Sequence, residues 1–253
     1  MRKNKALAKL RAGKLIFGPS VVFDSPDIAE HVAHLNFDWV WLDWQHGQFT
    51  EHTLNNALGR FLAVESAPIV RVKSHEPGTI NRVLDMGAMG VIVPMVQNAE
   101  QARGVAMPVY YPPLGARSGG GPRLALISGV SAPDYYAHAN DEILLVVMVE
   151  TEEAVANVES IMRVPGVHVV LIGPGDLMID VKAHGHDEAH HEQLVQQVLE
   201  ASRRTGTAAG YVCATHEIAA QRRSQGFRFL CYMSDSAVIT QGFCEIRDRS
   251  KDW

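Results

Sequence analysis

Residues 143–150 read ILLVVMVE, and residues 167–176 read VHVVLIGPGD. Both are short apolar runs rich in β-branched residues, a pattern typical of strands that are buried on both faces of a parallel sheet. Glu150 ends the first run, and Asp176 follows the second. Because a buried carboxylate is costly unless something pairs with it, the two stretches indicate a binding site as well as a fold.

Similar strand-like runs alternate with helix-like segments along the chain. The pattern predicts eight strands, at residues 14–23, 38–43, 67–72, 90–96, 143–150, 167–173, 207–213 and 227–233. Such alternation over 253 residues predicts an α/β protein of one domain, residues 1–253, that folds as a parallel (β/α)8 TIM barrel. A doubly wound open sheet is the alternative architecture, although no GxGxxG or P-loop motif opens any predicted helix to give it the usual nucleotide site.

The composition argues against several kinds of partner. A net charge of −5 argues against nucleic acid, and no apolar run reaches the roughly 18 residues that a membrane-spanning helix needs. Residues 1–14 are basic but lack the apolar stretch of a signal peptide, so they predict an amphipathic first helix. The three cysteines, Cys213, Cys231 and Cys244, are too widely spaced to suggest a disulfide framework. We therefore expect a cytoplasmic protein that acts on small molecules, with no nucleic acid and no membrane.

Polar residues fall at the ends of several predicted strands. Asp43 ends the second strand, His46 lies three residues further on, and Arg71 lies at the end of the third strand. The C-terminal ends of the strands form the active-site face of a TIM barrel. With Glu150 and Asp176, these residues therefore predict an active site on that face.

Each predicted role has a structural alternative. Glu150 and Asp176 offer oxygen ligands that suit Mg²⁺, Mn²⁺ or Co²⁺, and their alternative is an ion pair with a barrel arginine or a helix cap. We expect Asp43 and His46 to form a dyad whose carboxylate orients the imidazole as a general base. The alternative is that His46 is a loop histidine hydrogen-bonded to the backbone. We expect the Arg71 guanidinium to bind an oxyanion or a carboxylate, and the alternative is a structural ion pair.

Three further segments bear on function. Residues 172–177, IGPGDL, predict a tight turn that opens a short helix, where the N–H groups of Gly175 and Asp176 bind a small carboxylate; a plain turn is the alternative. The histidine-rich residues 184–191, HGHDEAHH, have irregular spacing and predict a solvated loop instead of a metal cluster. The Gly- and Pro-rich residues 108–122 predict a long functional loop.

Six blocks of sequence form a specific pattern through their order and spacing, although no single block is specific by itself. They are FDWVWLDWQHG near residue 40, PIVRV, LDMGAMGVIVPMVQNAEQA, YPPLGARSGGG, VMVETEEAVANVESI and GVHVVLIGPGDL. Through most of its length the chain thereby resembles the HpcH/HpaI family of class II, metal-dependent pyruvate aldolases. The resemblance implies a TIM barrel whose C-terminal helix swaps between neighbouring subunits of a homo-oligomer, a trimer or a hexamer.

The resemblance also implies roles for the polar residues at the C-terminal ends of the predicted strands, which form the rim of the barrel. Glu150 and Asp176 match the ligands of a divalent metal ion that chelates the 2-oxo acid part of the substrate. His46 and Asp43 match the base dyad of the family. Arg71 matches the residue that lies over the ketone oxygen.

The substrate-binding positions carry both matches and departures. The amides of Gly175 and Asp176 match the carboxylate site, and Val212 stands where the family has an apolar residue near the pyruvate methyl group. Gln45 replaces the glutamate that usually precedes the base histidine, and Met148 replaces a glutamine two residues before the metal-binding glutamate. Gln45 removes a negative charge near the metal, and Met148 makes that side of the pocket apolar.

The implied reaction is the reversible cleavage of a 4-hydroxy-2-oxo acid to pyruvate, or a close 2-oxo acid, and an aldehyde through a metal-stabilised enolate. A decarboxylase, a citrate-lyase-type CoA-ester lyase or a pyruvate-adding synthase would use related chemistry. A barrel that has lost turnover is the alternative from another class. We expect aldehyde specificity to lie in the loop near residues 118–122, with a neighbouring subunit as a further contributor.

Overall fold

The computed structural model describes residues 2–120 and 123–251. Its eight strands are Ile16–Val21 (β1), Trp39–Asp43 (β2), Ala67–Arg71 (β3), Gly90–Val93 (β4), Leu144–Val149 (β5), Val167–Ile172 (β6), Ala208–Cys213 (β7) and Phe229–Ser234 (β8). All neighbouring strands are parallel and pair in sequence order, and β1 pairs with β8 to close the barrel. The predicted (β/α)8 TIM barrel is therefore confirmed.

Helices connect successive strands, one further helix precedes the first strand, and another follows the last. In the described part of the chain they are Lys5–Arg11 (α1), Pro26–Ala33 (α2), Glu51–Arg60 (α3), Pro77–Met86 (α4), Ala99–Ala106 (α5), Arg123–Ile127 (α6), Ala132–His138 (α7), Glu152–Ala156 (α8), Val158–Met162 (α9), Pro174–Ala183 (α10), Glu188–Thr205 (α11), His216–Gln225 (α12) and Asp235–Arg249 (α13). Phe61–Ala63 and Ala139–Glu142 are short 3-10 helices. Over the residues described, none of these helices has the length and apolar character needed to cross a membrane.

Local sequence signals set the ends of these helices. Ser25 and Thr50 precede α2 and α3, and each hydroxyl accepts a hydrogen bond from a backbone N–H of the first turn. Gly87 and Gly206 follow α4 and α11 with φ angles of 112° and 82°. Glycine adopts this left-handed conformation without a steric cost, so it ends a helix readily.

The segment between β4 and β5 contains structure that the sequence pattern did not predict. Helices α5, α6 and α7 lie there, and the side chains of Asn98 and Ser131 cap α5 and α7. Helices this short carry too few periodic positions to be recognised from sequence. The predicted long loop is irregular over residues 108–120, and its last two residues, Gly121 and Pro122, lie outside the described residues.

Side-chain alternation divides the core into two layers. An inner layer that includes Trp39 and Phe229 fills the barrel, and an outer layer packs the strands against the helices. The rings of Trp39 and Phe229 stack with centroids 4.1 Å apart. Because every second residue of a strand points to the same side, Trp39, Trp41 and Asp43 of β2 all point into the barrel. The register of β2 and β3 places Arg71 opposite Asp43.

The last helix, α13, is anchored to the barrel only at its beginning. Asp235 is the one buried residue of this helix, and its carboxylate accepts hydrogen bonds from the N–H groups of Val22 and Phe23 at 2.9 and 3.1 Å. Four apolar side chains further along the helix are exposed: Val238, Ile239, Phe243 and Ile246. A swap of this helix between subunits would require such an uncovered apolar face.

Candidate active site

A buried ion pair lies at the C-terminal ends of β2 and β3. The Arg71 guanidinium donates from Nε to Asp43 Oδ1 at 2.9 Å and from Nη2 to Asp43 Oδ2 at 2.6 Å. It also lies over the Trp41 ring, 4.7 Å from the ring centroid. A bidentate contact and a stacked ring together restrict the guanidinium to one orientation. Its third nitrogen, Nη1, has no hydrogen-bond partner within residues 2–120 and 123–251.

His46 lies on the exposed rim just beyond β2. The backbone N–H groups of Gln45 and His46 donate to Asp43 Oδ1 at 3.0 and 3.3 Å. Asp43 therefore positions His46 through its main chain. The imidazole is exposed and forms no hydrogen bond with any other part of the described chain. This arrangement differs from the predicted contact between the Asp43 carboxylate and the His46 imidazole, because the carboxylate oxygens accept hydrogen bonds from Arg71 and from two main-chain N–H groups instead.

Glu150 follows β5 directly and is only 2% exposed. Its Oε2 accepts a hydrogen bond from the Met95 N–H at 2.8 Å, but no lysine or arginine among the described residues forms an ion pair with it. Burial raises the pKa of Glu150 to about 7; the Met95 N–H opposes this change, and the neighbouring Asp176 carboxylate adds to it. The carboxylate is thus buried without an ion-pair partner, and the nearby Arg71 charge lowers its pKa by less than burial raises it.

The N-terminus of α10 brings Asp176 to the same place. Gly173 is the N-cap of this helix, Pro174 is its first residue, and no side chain caps it. The N–H groups of Gly175 and Asp176 lie in the first turn, where a helix offers no internal acceptors, and both residues are exposed. The predicted helix opening is present, and the amides of Gly175 and Asp176 donate to no acceptor within the described residues.

The charges at this rim suit a divalent cation. Asp43, Glu150 and Asp176 are three carboxylates, and Arg71 is the one guanidinium among them, so two negative charges are left when all are ionised. Oxygen donors of this kind favour Mg²⁺, Mn²⁺ or Co²⁺ over thiolate-preferring metals. Burial and the Asp176 carboxylate both raise the pKa of Glu150, and a bound cation would favour the ionised form of both carboxylates.

Two residues that the sequence analysis did not identify hold Glu150 in place. A Cβ atom at Gly173 would lie 2.5 Å from Glu150 Oε1, so glycine leaves the space that the carboxylate occupies. Met95 adopts a φ of 55°, which is unfavourable for a residue with a side chain, and its N–H donates to Glu150 Oε2. Pro94, which interrupts strand pairing after β4, was the available sequence signal for this irregular backbone.

The remaining predicted positions lie around these charged groups. Met148 is buried in the inner layer two residues before Glu150, and Val212 is partly buried against the same layer. Gln45 is partly exposed, yet its Oε1 is buried and accepts no hydrogen bond from the described residues. The interior below the rim is therefore apolar, and the Gln45 Oε1 is a buried acceptor without a partner in the described structure.

The histidine-rich residues 184–191 form a loop only in part. Helix α10 ends at Ala183 and α11 begins at Glu188, so the connection comprises residues 184–187. His190 lies in the first turn of α11, and His191 is buried. The prediction of a solvated loop therefore holds only for the connection.

Comparisons with known proteins place this geometry in context. A model of the HpcH/HpaI aldolase/citrate lyase family matches residues 17–241. A 4-hydroxy-2-oxovalerate aldolase of Novosphingobium aromaticivorans is 35% identical over 246 residues, which cover 94% of this chain and 91% of that protein. A 4-hydroxy-2-oxo-heptane-1,7-dioate aldolase of Klebsiella pneumoniae is 35% identical over 236 residues, which cover 92% and 88%. The crystal structure of an HpcH/HpaI aldolase/citrate lyase family protein from Burkholderia cenocepacia matches with a TM-score of 0.91 at 25% identity, over 99% of this chain and 100% of that chain.

The stability of the metal-free protein is expected to depend on pH through Glu150. Its pKa of about 7 in the folded protein lies above the ordinary value of 4.5, so the folded state binds this proton more tightly than the unfolded state. The stabilising contribution is present below about pH 4.5 and is lost as the pH rises through about 7. Glu150→Gln, which mimics the protonated group, should therefore become progressively more stable than the parent over this range, as measured by thermal unfolding. A constant difference between the two proteins at all pH values would contradict this assignment.

Gly173→Ala is expected to displace the Glu150 carboxylate, because the added methyl group would overlap Oε1. Overpacking of this kind costs about 1–3 kcal/mol, and titration with Mn²⁺ should show weaker binding. Gly104→Ala is the control, since a Cβ atom there meets nothing within 4 Å. Parental stability and Mn²⁺ affinity in Gly173→Ala would show that the close packing against Glu150 is not required.

Proposed function

The chain belongs to the HpcH/HpaI aldolase/citrate lyase family, and we propose that it is a metal-dependent aldolase that reversibly cleaves a 4-hydroxy-2-oxo acid to pyruvate, or a close 2-oxo acid, and an aldehyde. It is a carbon–carbon lyase, as are the relatives named as aldolases. The observation that carries the proposal is the buried Glu150 carboxylate. It lies beside Asp176 and forms no ion pair with any lysine or arginine of the described residues, and the nearby Arg71 charge offsets only part of the effect of its burial.

Glu150 and Asp176 are the residues that would hold the metal ion, Mg²⁺, Mn²⁺ or Co²⁺. A divalent ion bound there supplies Lewis-acid polarisation of the ketone of the 2-oxo acid. The apolar interior around Met148 supports this role, since a low dielectric strengthens every electrostatic interaction at the rim.

Protein groups would bind and orient the 2-oxo acid. The N–H groups of Gly175 and Asp176, at the positive end of the α10 helix dipole, donate hydrogen bonds to its carboxylate. The Nη1 of Arg71 donates to the ketone oxygen, and this interaction strengthens as negative charge develops there. Val212 provides an apolar contact for the carbon that becomes the pyruvate methyl group.

His46 would move the proton that the cleavage requires. Its imidazole accepts the proton of the C4 hydroxyl, the C4–O bond becomes the carbonyl of the aldehyde, and the C3–C4 bond breaks. The electron pair of that bond passes to the pyruvate enolate, whose oxygen Arg71 stabilises. Protonation of C3 then yields pyruvate. Asp43 contributes by holding both the Arg71 guanidinium and the main chain of His46.

Exchange of the pyruvate methyl protons in D₂O tests the proposal without knowledge of the aldehyde. We expect exchange, followed by NMR, in chelator-stripped protein only after Mn²⁺, Co²⁺ or Mg²⁺ is added. Glu150→Gln should abolish the metal-dependent exchange, whereas the same change at the exposed Glu153 should leave it intact. Absence of exchange with every metal, in folded protein shown to bind metal, would refute pyruvate enolate formation.

A substitution of His46 distinguishes the role of the proposed base from that of the proposed metal ligands. His46→Ala should lower the rate of 4-hydroxy-2-oxo acid cleavage by about 10²–10⁴ while Mn²⁺ affinity stays at the parental value. His52→Ala removes an exposed imidazole six residues further on and serves as the control. An unchanged cleavage rate in His46→Ala would mean that another group takes the proton.

We also propose that the protein is a homo-oligomer in which α13 packs on a second copy of the chain. A groove of about 940 Å³ lies where α13 leaves the barrel. Its walls are largely apolar and include Phe17, Ile28, Val32, Leu35, Phe37 and Tyr232. The exposed apolar residues of α13 continue from this groove, so a helix from a second copy would cover both surfaces.

Phe243→Glu should therefore weaken the oligomer, because it places a charge on the apolar face of α13, where Phe243 is 68% exposed. Light scattering coupled to size exclusion should show a smaller species at low protein concentration. Leu62→Glu is the matched control, since Leu62 is also exposed but lies outside α13. The same oligomer for both variants and the parent would exclude this packing.

The proposed substrates are small molecules, and we place the protein in the cytoplasm. Cys213, Cys231 and Cys244 are all free thiols. Free cysteines are typical of proteins in a reducing compartment.

A further inference from the structure

A second group of potential metal ligands lies outside the rim described above. It consists of Glu152, His186 and His190, and we propose that these three side chains bind a transition-metal ion of the Zn²⁺ class. The Nδ1 atom of His186 lies 2.7 Å from Glu152 Oε1, and the Nε2 atom of His190 lies 3.4 Å from the same oxygen. All three ligand atoms lie within 4.8 Å of one another.

These separations are close to those of a metal site. Metal–ligand bonds of about 2.0–2.2 Å at tetrahedral angles place neighbouring donor atoms about 3.3 Å apart. The Glu152–His190 distance has this value already, and the Glu152–His186 distance must open only slightly when the ion replaces the shared proton. Two imidazoles and one carboxylate form an established zinc ligand set, with a fourth position left for water.

An ordinary surface ion pair explains the geometry less well. A histidine–glutamate pair needs one imidazole, whereas here two imidazole nitrogens converge on one oxygen. The two rings lie with centroids 4.2 Å apart, which brings like charges together if both are protonated. Neutral imidazoles that share a cation with Glu152 avoid this repulsion.

Backbone hydrogen bonds hold each ligand in position. The N–H of Glu152 donates to Asp180 Oδ2 at 2.8 Å, at the start of α8. The N–H of His186 donates to the Val181 carbonyl oxygen at 3.0 Å, which closes the end of α10. The N–H of His190 donates to the Asp187 carboxylate in the first turn of α11. A site on fixed elements loses little entropy on binding.

The site differs from the active-site rim in its chemistry. The proposed ligands at the rim, Glu150 and Asp176, are oxygen donors, whereas this group offers two nitrogens and favours zinc, copper, nickel or cobalt over magnesium. Glu152 lies 34 residues from His186, so only the fold brings the carboxylate to the histidines. A bound ion would connect the segment after Glu150 to the turn between α10 and α11, and it would thereby stabilise the folded protein.

Zn²⁺ titration in excess Mg²⁺ tests the proposal, because Mg²⁺ occupies oxygen sites and competes poorly for imidazole. Isothermal titration calorimetry of the parent protein should show one Zn²⁺ per chain, and Zn²⁺ should raise the melting temperature. His186→Ala and His190→Ala should each weaken Zn²⁺ binding by at least about tenfold. His138→Ala is the control, since His138 is an exposed histidine bonded to a main-chain carbonyl.

A spectroscopic measurement identifies the ligands. With Cu²⁺ in excess Mg²⁺, electron paramagnetic resonance of the parent should show coupling to imidazole nitrogens, and both His186→Ala and His190→Ala should lose part of that coupling. Zn²⁺ binding that is unchanged in both variants, or that falls equally in His138→Ala, would overturn the proposal. So would a Cu²⁺ spectrum without nitrogen coupling. Because the readouts are binding and spectra, they are independent of the aldolase assay.

Discussion

The rim depends on one geometric constraint, the alternation of side chains along strands that close into a barrel. Every second residue of a strand points into an interior that is filled by apolar side chains such as Trp39 and Phe229. The last inward position of each strand then lies at the mouth, where a polar side chain can leave the apolar layer. Asp43 and Arg71 occupy such positions on adjacent strands, and their strand register alone makes them partners.

Buried charge decides how the groups at the mouth divide their roles. Asp43 neutralises Arg71 through two hydrogen bonds, and the same carboxylate holds the main chain of His46. Glu150 consequently forms no ion pair within the described structure, and burial raises its pKa to about 7 even though the nearby Arg71 charge opposes the rise. An ion at this position would relieve that cost, so the desolvation of Glu150 and the proposed metal chemistry have a single physical origin.

The sequence predicted the barrel and the main rim residues because each depends on a local pattern. Glu150 ends a continuous apolar run, and its place at a strand end follows from that run alone. Gly173 and Met95 were not predicted, because their importance comes from the position of a carboxylate on another strand. The hydrogen bonds of the Asp43 carboxylate were also predicted incompletely. Whether this carboxylate bonds to Arg71 or to the His46 imidazole depends on distances across the sheet.

The sequence by itself determined the strand–helix alternation, the helix caps and the placement of polar residues at strand ends, because short-range periodicity and backbone preferences specify these features. Only the tertiary structure decided which of those residues meet. The pairing of Asp43 with Arg71, the close contact of Glu150 with Gly173 and the approach of Glu152 to His186 and His190 all join distant parts of the chain. Such contacts depend on strand register and helix packing, and no local pattern of residues encodes them.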